Sequence, residues 1–161
     1  MHDRRLLRDV AWKRGEWLLR EARILAQLEH PGTVPVYDMG FGNDGEAYFA
    51  MRVVRGRSLA EVLRAADREQ HSALARSLQR AAEAVAYAHH RGVVHRDLKP
   101  ANIMIGAFGE TQVIDWGLAL APAENLPAPS GPFAGTPESM SPEQARGEPA
   151  GAPSDVYSLG C

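Results

Sequence analysis

Apolar positions along this chain recur at two spacings, and the switches between them mark out its elements. Leu18, Glu21, Leu25 and Leu28 fall on one face of a 3.6-residue helix and predict a helix over 16–29. His30-Pro31-Gly32 stops it, because Pro cannot continue the turn and Gly punctuates it. Residues 34–41 and 47–54 then read as strands around Gly42-Asn43-Asp44-Gly45, a hairpin signal. Ser58 is placed to cap a helix over 59–66. Leu74, Leu78, Ala81, Val85 and Ala88 mark a longer amphipathic helix over 72–90, with Gly92 as its stop. Two short strands, 102–105 and 112–114, follow around Gly106-Ala107-Phe108-Gly109. Helices and antiparallel pairs in this mixture predict an α+β fold.

Glu21 interrupts the apolar stripe of the first helix. A carboxylate there must be paired, or it pays for desolvation through stability or through its pKa. Lys13 is the available partner, and the alternative is a Glu at the stripe's edge reaching solvent. Residues 40–45 formally match G-x-G-x-x-G, but a strand follows where a dinucleotide-binding fingerprint needs a helix, so this is a turn. Between 118 and 133 the chain holds Pro122, Pro127, Pro129, Gly131 and Pro132 and reads as a mobile loop.

Composition narrows the picture. The 161 residues, 45% hydrophobic and 24% charged, suffice for one globular domain with a real core. A net charge of −2 gives no electrostatic reason to expect nucleic acid or an anionic membrane as partner. The single cysteine, Cys161, allows no internal disulfide and fits a reducing, cytoplasmic setting. Neither a signal-peptide pattern nor an apolar run of membrane-spanning length occurs. Of 18 basic residues only Lys13 and Lys99 are lysine. Lysine is a compact charge on a slim stem, suited to phosphate oxygens in a narrow site.

The chemistry concentrates in His95-Arg96-Asp97-Leu98-Lys99-Pro100-Ala101-Asn102 and Asp115-Trp116-Gly117. Pro100 forbids a continuous helix and biases Lys99 towards extended backbone. The hairpin between the two motifs returns Asp115 to the neighbourhood of Asn102. One Asn, two Asp and a Lys then converge, and hard oxygen ligands of this kind suit Mg²⁺ shared with substrate phosphates.

These residues carry a family resemblance. The octet resembles the protein-kinase catalytic loop H-R-D-L-x-x-x-N, Asp115-Trp116-Gly117 resembles D-F-G, and Ser141-Pro142-Glu143 resembles A-P-E, in that order. Val10-Ala11-Trp12-Lys13 is similar to V-A-I-K, and residues 154–160 to D-V-x-S-L-G. The resemblance is to bacterial Ser/Thr protein kinases, and implies a two-lobed kinase-like fold. Residues 1–54 would be the remnant of the small lobe and hinge, and 55–161 the first part of the large lobe.

It further implies ATP and Mg²⁺ as cofactors and the Ser/Thr hydroxyls of proteins as substrate. Asp97 would accept the attacking hydroxyl's proton, and Lys99 would steady the transferring phosphate. Asn102 and Asp115 would hold the metal, and Lys13 paired with Glu21 the α/β-phosphates. Met51 would be the gatekeeper, and Val53 and Met104 would meet the nucleotide. His95, Trp116 and Leu25 would pack between the lobes, Thr136 would lie against Asp97, and Asp155 would hold the catalytic-loop backbone. Arg96 would receive a phosphate on the following loop, carried by Ser130 or Thr136, with Ser130 preferred because Thr136 has a structural role in the family.

Departures from the family pattern set further expectations. Ser139 stands where a Tyr is expected, and Lys13 and Glu21 are close in sequence, which shortens the start of the helix between them. A glycine-rich loop before residue 1 and the helices after Cys161 are lacking. Glu143 would then be a buried carboxylate without its usual Arg. Little activity is expected of such a chain, and the alternative is a catalytically inactive kinase-like binding module.

Overall fold

The computed structural model describes residues 2–3, 8–15, 18–65, 71–121 and 135–161. A four-stranded antiparallel sheet comes first, in the order β1-β2-β4-β3. Its strands are β1 (His2–Asp3), β2 (Arg8–Arg14), β3 (Val36–Phe41) and β4 (Ala47–Arg52). The helix α1 (Leu18–Ala26) packs on this sheet, and Ile24, Leu25 and Leu28 meet the fully buried Phe49 in one continuous core. Val10 lies opposite Arg52, and Lys13 opposite Phe49, so the register carries Lys13 to the end of the sheet nearest α1.

α1 is shorter than its apolar period suggests. Residues 16 and 17 lie outside the described part. At the other end, the N–H groups of Gln27 and Leu28 turn to the carbonyls three residues back. Thr33 completes the stop, its hydroxyl 2.8 Å from the carbonyl oxygens of both Leu28 and His30. The Leu28 carbonyl, one of those a helix end leaves without an intrahelical partner, is satisfied in this way, while His30 O also accepts the Thr33 N–H. The chain then passes close against a later helix: a side chain at Gly32 would place its Cβ 2.6 Å from that of Ala84, so only glycine fits.

The β3–β4 hairpin closes through a turn in which the Gly42 N–H donates to Glu46 O and Gly45 adopts φ +79°. β4 ends at Arg52, two residues short of the expected 47–54 strand, and its pairing with β2 stops at the Val10–Arg52 pair. β5 (Arg57–Ser58), β6 (Ile103–Ile105) and β7 (Thr111–Val113) form a second, three-stranded antiparallel sheet. Asn102, expected to open the β6 strand, instead ends a 3-10 turn over Pro100–Asn102.

The helices follow the pattern closely. Ser58 and Glu61 cap α2 (Leu59–Ala65) reciprocally, the Glu61 N–H donating to Ser58 Oγ and the Ser58 N–H to Glu61 Oε2. α3 (His71–His90) buries Ala81, Ala84, Val85 and Ala88. It ends in a Schellman motif: Gly92 at φ +76° donates to His89 O, and Val93 donates to Ala88 O. Leu78 belongs to the predicted apolar stripe but is 38% exposed, because it opens onto a groove between α3 and α5 (Ala152–Gly160). The short α4 (Pro142–Ala145) carries a Ser141–Gln144 capping box.

Candidate active site

Val94 and Leu120 bond reciprocally through their backbones, and this bridge brings the segment after α3 beside the one after β7. His95 is fully buried between them, tilted against Trp116 with ring centroids 4.6 Å apart. Its Nδ1 accepts from the Asp97 N–H at 3.2 Å, so the ring proton sits on Nε2, which donates to Ile114 O. Burial pushes the His95 pKa down, and a neutral imidazole results. His95 is therefore a packing and backbone-positioning group.

Asp155, at the start of α5, reaches under this loop with no exposed surface. Its carboxylate accepts the N–H of His95 and of Arg96, both at 2.8 Å. His89 Nε2 lies 2.7 Å from the same carboxylate. Sequence reasoning missed His89, although the signal was present: His89 lies four residues after Val85, on the buried stripe of α3.

Arg96 adopts φ +69° and Asp115 φ +63°, and these are the only non-glycine residues with positive φ among those described. Such backbone costs about 1–3 kcal/mol per residue and persists only where the surroundings over-determine it. The Arg96 Nε donates to Leu118 O at 2.7 Å, and its Nη2 has no hydrogen-bond partner among the described residues. Burial, then the neighbouring Arg20 charge, push the Arg96 pKa down. Ser130 lies outside the described residues.

Asp97 is 8% exposed and sits at the centre of a polar network. Its Oδ1 accepts from the Thr136 hydroxyl at 2.6 Å, and its Oδ2 from Lys99 Nζ at 2.8 Å and Asn102 Nδ2 at 3.2 Å. Lys99 Nζ also lies 2.6 Å from Thr136 Oγ1, closing a carboxylate–hydroxyl–ammonium triangle. The extended backbone of Lys99, φ −159° and ψ 161°, is the geometry Pro100 imposes. The Asn102 amide nitrogen also bonds to Asp97 O at 2.9 Å, which leaves the side-chain oxygen as its acceptor atom.

A second charged group forms on the sheet side. Lys13 Nζ lies 2.7 Å from Glu21 Oε1 and 3.8 Å from Asp115 Oδ1. Glu21 is buried, so the edge-of-stripe alternative is excluded. Burial raises its pKa, opposed by the hydrogen bond and charge of Lys13. The Ile114 N–H donates to Asn102 O, which ties Asp115 to the Asn102 side as the hairpin predicts. Met51 is half-buried opposite Ala11, two residues before Lys13, and Met104 is half-buried on β6. Val53, also half-buried, follows β4 directly.

Glu143 corrects one expectation. Its carboxylate is only half-buried and accepts from the Ser154 hydroxyl at 2.6 Å, which holds its pKa below the usual range. It is not stranded, because the neighbouring helix start supplies a donor.

Among the described residues no cluster of three or more His, Cys, Asp or Glu could hold a metal. The donor set at hand is one carboxylate and one amide oxygen, which fits a cation completed by phosphate oxygens and water and does not fit a self-contained metal cage. The α3–α5 groove, about 650 Å³, is lined chiefly by apolar side chains and holds none of these groups. Convergent chemistry, and not cavity size, locates the site. No helix among the described residues is long and apolar enough to cross a membrane.

Comparison with known proteins agrees with the geometry. The protein kinase domain family matches residues 6–161, and the chain belongs to that family. Serine/threonine-protein kinase PknD of Protochlamydia amoebophila is 37% identical over 171 residues, covering 88% of this chain and 17% of the relative. Serine/threonine-protein kinase PknB of Mycobacterium tuberculosis is 39% identical over 147 residues, covering 88% and 24%. The chain thus spans roughly a sixth to a quarter of the length of these relatives.

Proposed function

We propose that this chain transfers the γ-phosphoryl group of ATP to Ser or Thr hydroxyls of protein substrates, with Mg²⁺ as cofactor. The observation that carries this reading is the triangle at Asp97. A hydroxyl, that of Thr136, is held 2.6 Å from the carboxylate and 2.6 Å from the Lys99 ammonium. An attacking hydroxyl needs those two neighbours, one to take its proton and one to neutralise the phosphoryl oxygens.

Phosphoryl transfer asks the protein mainly for positioning and charge neutralisation. In this reading Asp97 accepts the proton of the acceptor hydroxyl, while Lys99 replaces the Thr136 contact with one to the transferring group. Asn102 and Asp115 supply the oxygen ligands for Mg²⁺, which when bound neutralises charge on the phosphates. Lys13, steered by Glu21, meets the α/β-phosphates, and Met51, Val53 and Met104 line the adenine side. Residues 1–54 then form the small lobe and hinge, and residues 55–161 belong to the large lobe.

The test is incubation of the purified chain with labelled ATP, Mg²⁺ and a generic Ser/Thr substrate, with Asp97→Ala as control. Weak transfer that disappears in the control is the expected result. ATP binding without transfer by the parent would instead identify an inactive binding module.

A further inference from the structure

Beyond the residues already assigned roles, we infer that Gln144 is a positioning residue for Asp97. This rests on the kinase reading above. Gln144 is 3% exposed on α4, and its Nε2 donates to the carbonyl oxygen of Arg96 at 2.7 Å. The orientation of its amide is fixed at the other end. Oε1 accepts from Ser141 Oγ at 3.1 Å and from the Ser141 N–H at 3.3 Å, so Nε2 must face Arg96.

The carbonyl that Gln144 grips belongs to the peptide joining Arg96 to Asp97. The opposite edge of the same peptide is the Asp97 N–H, held by His95 Nδ1 at 3.2 Å. Gln144 and His95 therefore fix the plane from which Asp97 departs. The peptide before it is fixed by Asp155, 2.8 Å from the Arg96 N–H. Between the two clamps lies Arg96 at φ +69°, a conformation the backbone leaves when released. The close approach is also built into the chain on the other side. A Cβ on Gly135, itself at φ +141°, would lie 3.2 Å from Arg96 O and 3.5 Å from Gln144 Nε2.

The arrangement has a consequence for control. Gly135, Thr136 and Gln144 belong to the stretch that follows residues 122–134. Docking of that stretch sets the Asp97 backbone through Gln144 and the Asp97 carboxylate through Thr136.

Gln144→Met, of similar length and without the amide donor, tests this in the full chain. Neither Lys13, Glu21 nor Asp115 bonds to Gln144, so KM for ATP stays at the parent value while kcat falls about ten- to a hundredfold, as for a displaced reacting group. Hydrogen exchange of the Asp97 amide quickens in the variant, with exchange in α3 unchanged. Gln144→Glu, isosteric but with an oxygen facing Arg96 O, gives the same split and serves if the Met variant fails to fold. An unchanged kcat overturns the inference. So does exchange that quickens equally across the chain, since Gln144 would then be a general packing group. A parent chain that transfers no phosphate overturns the proposed function instead, and the exchange at Asp97 still decides the clamp.

Discussion

Asp155→Asn removes one charge and one acceptor atom from beneath the catalytic loop, and its effect can be worked out from the contacts. In the parent, Oδ1 accepts the Arg96 N–H, while Oδ2 accepts the His95 N–H and faces His89 Nε2. An Asn side chain offers one oxygen. If that oxygen keeps Arg96, the new NH₂ group points at the His95 N–H, donor against donor. His89 can change tautomer and accept from the amide, so it does not add to the loss. One buried N–H without a partner costs about 1–3 kcal/mol, and weakening of the surviving charge-assisted bond adds about 1 kcal/mol. The sum, about 2–4 kcal/mol, lowers the Tm of a chain this size by roughly 5–15 °C. Thermal unfolding followed by circular dichroism is the assay. A double-mutant cycle with His89→Phe isolates the part owed to the imidazole. A Tm shift below about 2 °C for Asp155→Asn would refute the claim that this carboxylate holds the loop.

Further outcomes follow from the charged groups around Lys13. Asp115→Asn and Asn102→Ala each weaken Mg²⁺-ATP binding measured by calorimetry, because in the proposed reading both residues supply oxygen ligands; equal binding by parent and variants would count against both assignments. Burial raises the Glu21 pKa, so the folded chain holds that proton more tightly than the unfolded chain does. Stability relative to Glu21→Gln is therefore greatest below the usual glutamate range and falls as pH rises through the raised value. Denaturant unfolding across that window checks the sign, and a difference that grows with pH would refute it.

Much of this site was legible because its chemistry is local in sequence. His95 to Asn102 are contiguous, Pro100 dictates the Lys99 backbone, and a two-strand hairpin returns Asp115 by simple geometry. The pairing of Lys13 with Glu21 was legible for a different reason: a carboxylate inside an apolar stripe demands a cation, and the chain has only two lysines. The element ends were less visible. α1 stops where Thr33, five residues beyond Leu28, takes its carbonyl, and no local pattern announces that bond.

The contacts that were missed are those made across long stretches of chain, where no local motif joins the two partners. Gln144 is a capping residue by local pattern, and only the fold puts its other end on Arg96, 48 positions away. His89 meets Asp155 across 66 positions. Gln144 directly, and His89 through the Asp155 carboxylate, bear on the peptides either side of Arg96. The two strained non-glycine residues among those described, Arg96 and Asp115, adjoin or form part of the proposed catalytic and metal groups. A chain relieved of that strain would be more stable locally but would lose the angle at which Asp97 meets the Thr136 hydroxyl and, in the proposed reading, an acceptor hydroxyl. The polar network beneath the loop is therefore best understood as the means of keeping an unfavourable backbone in place, with stability elsewhere in the core offsetting it.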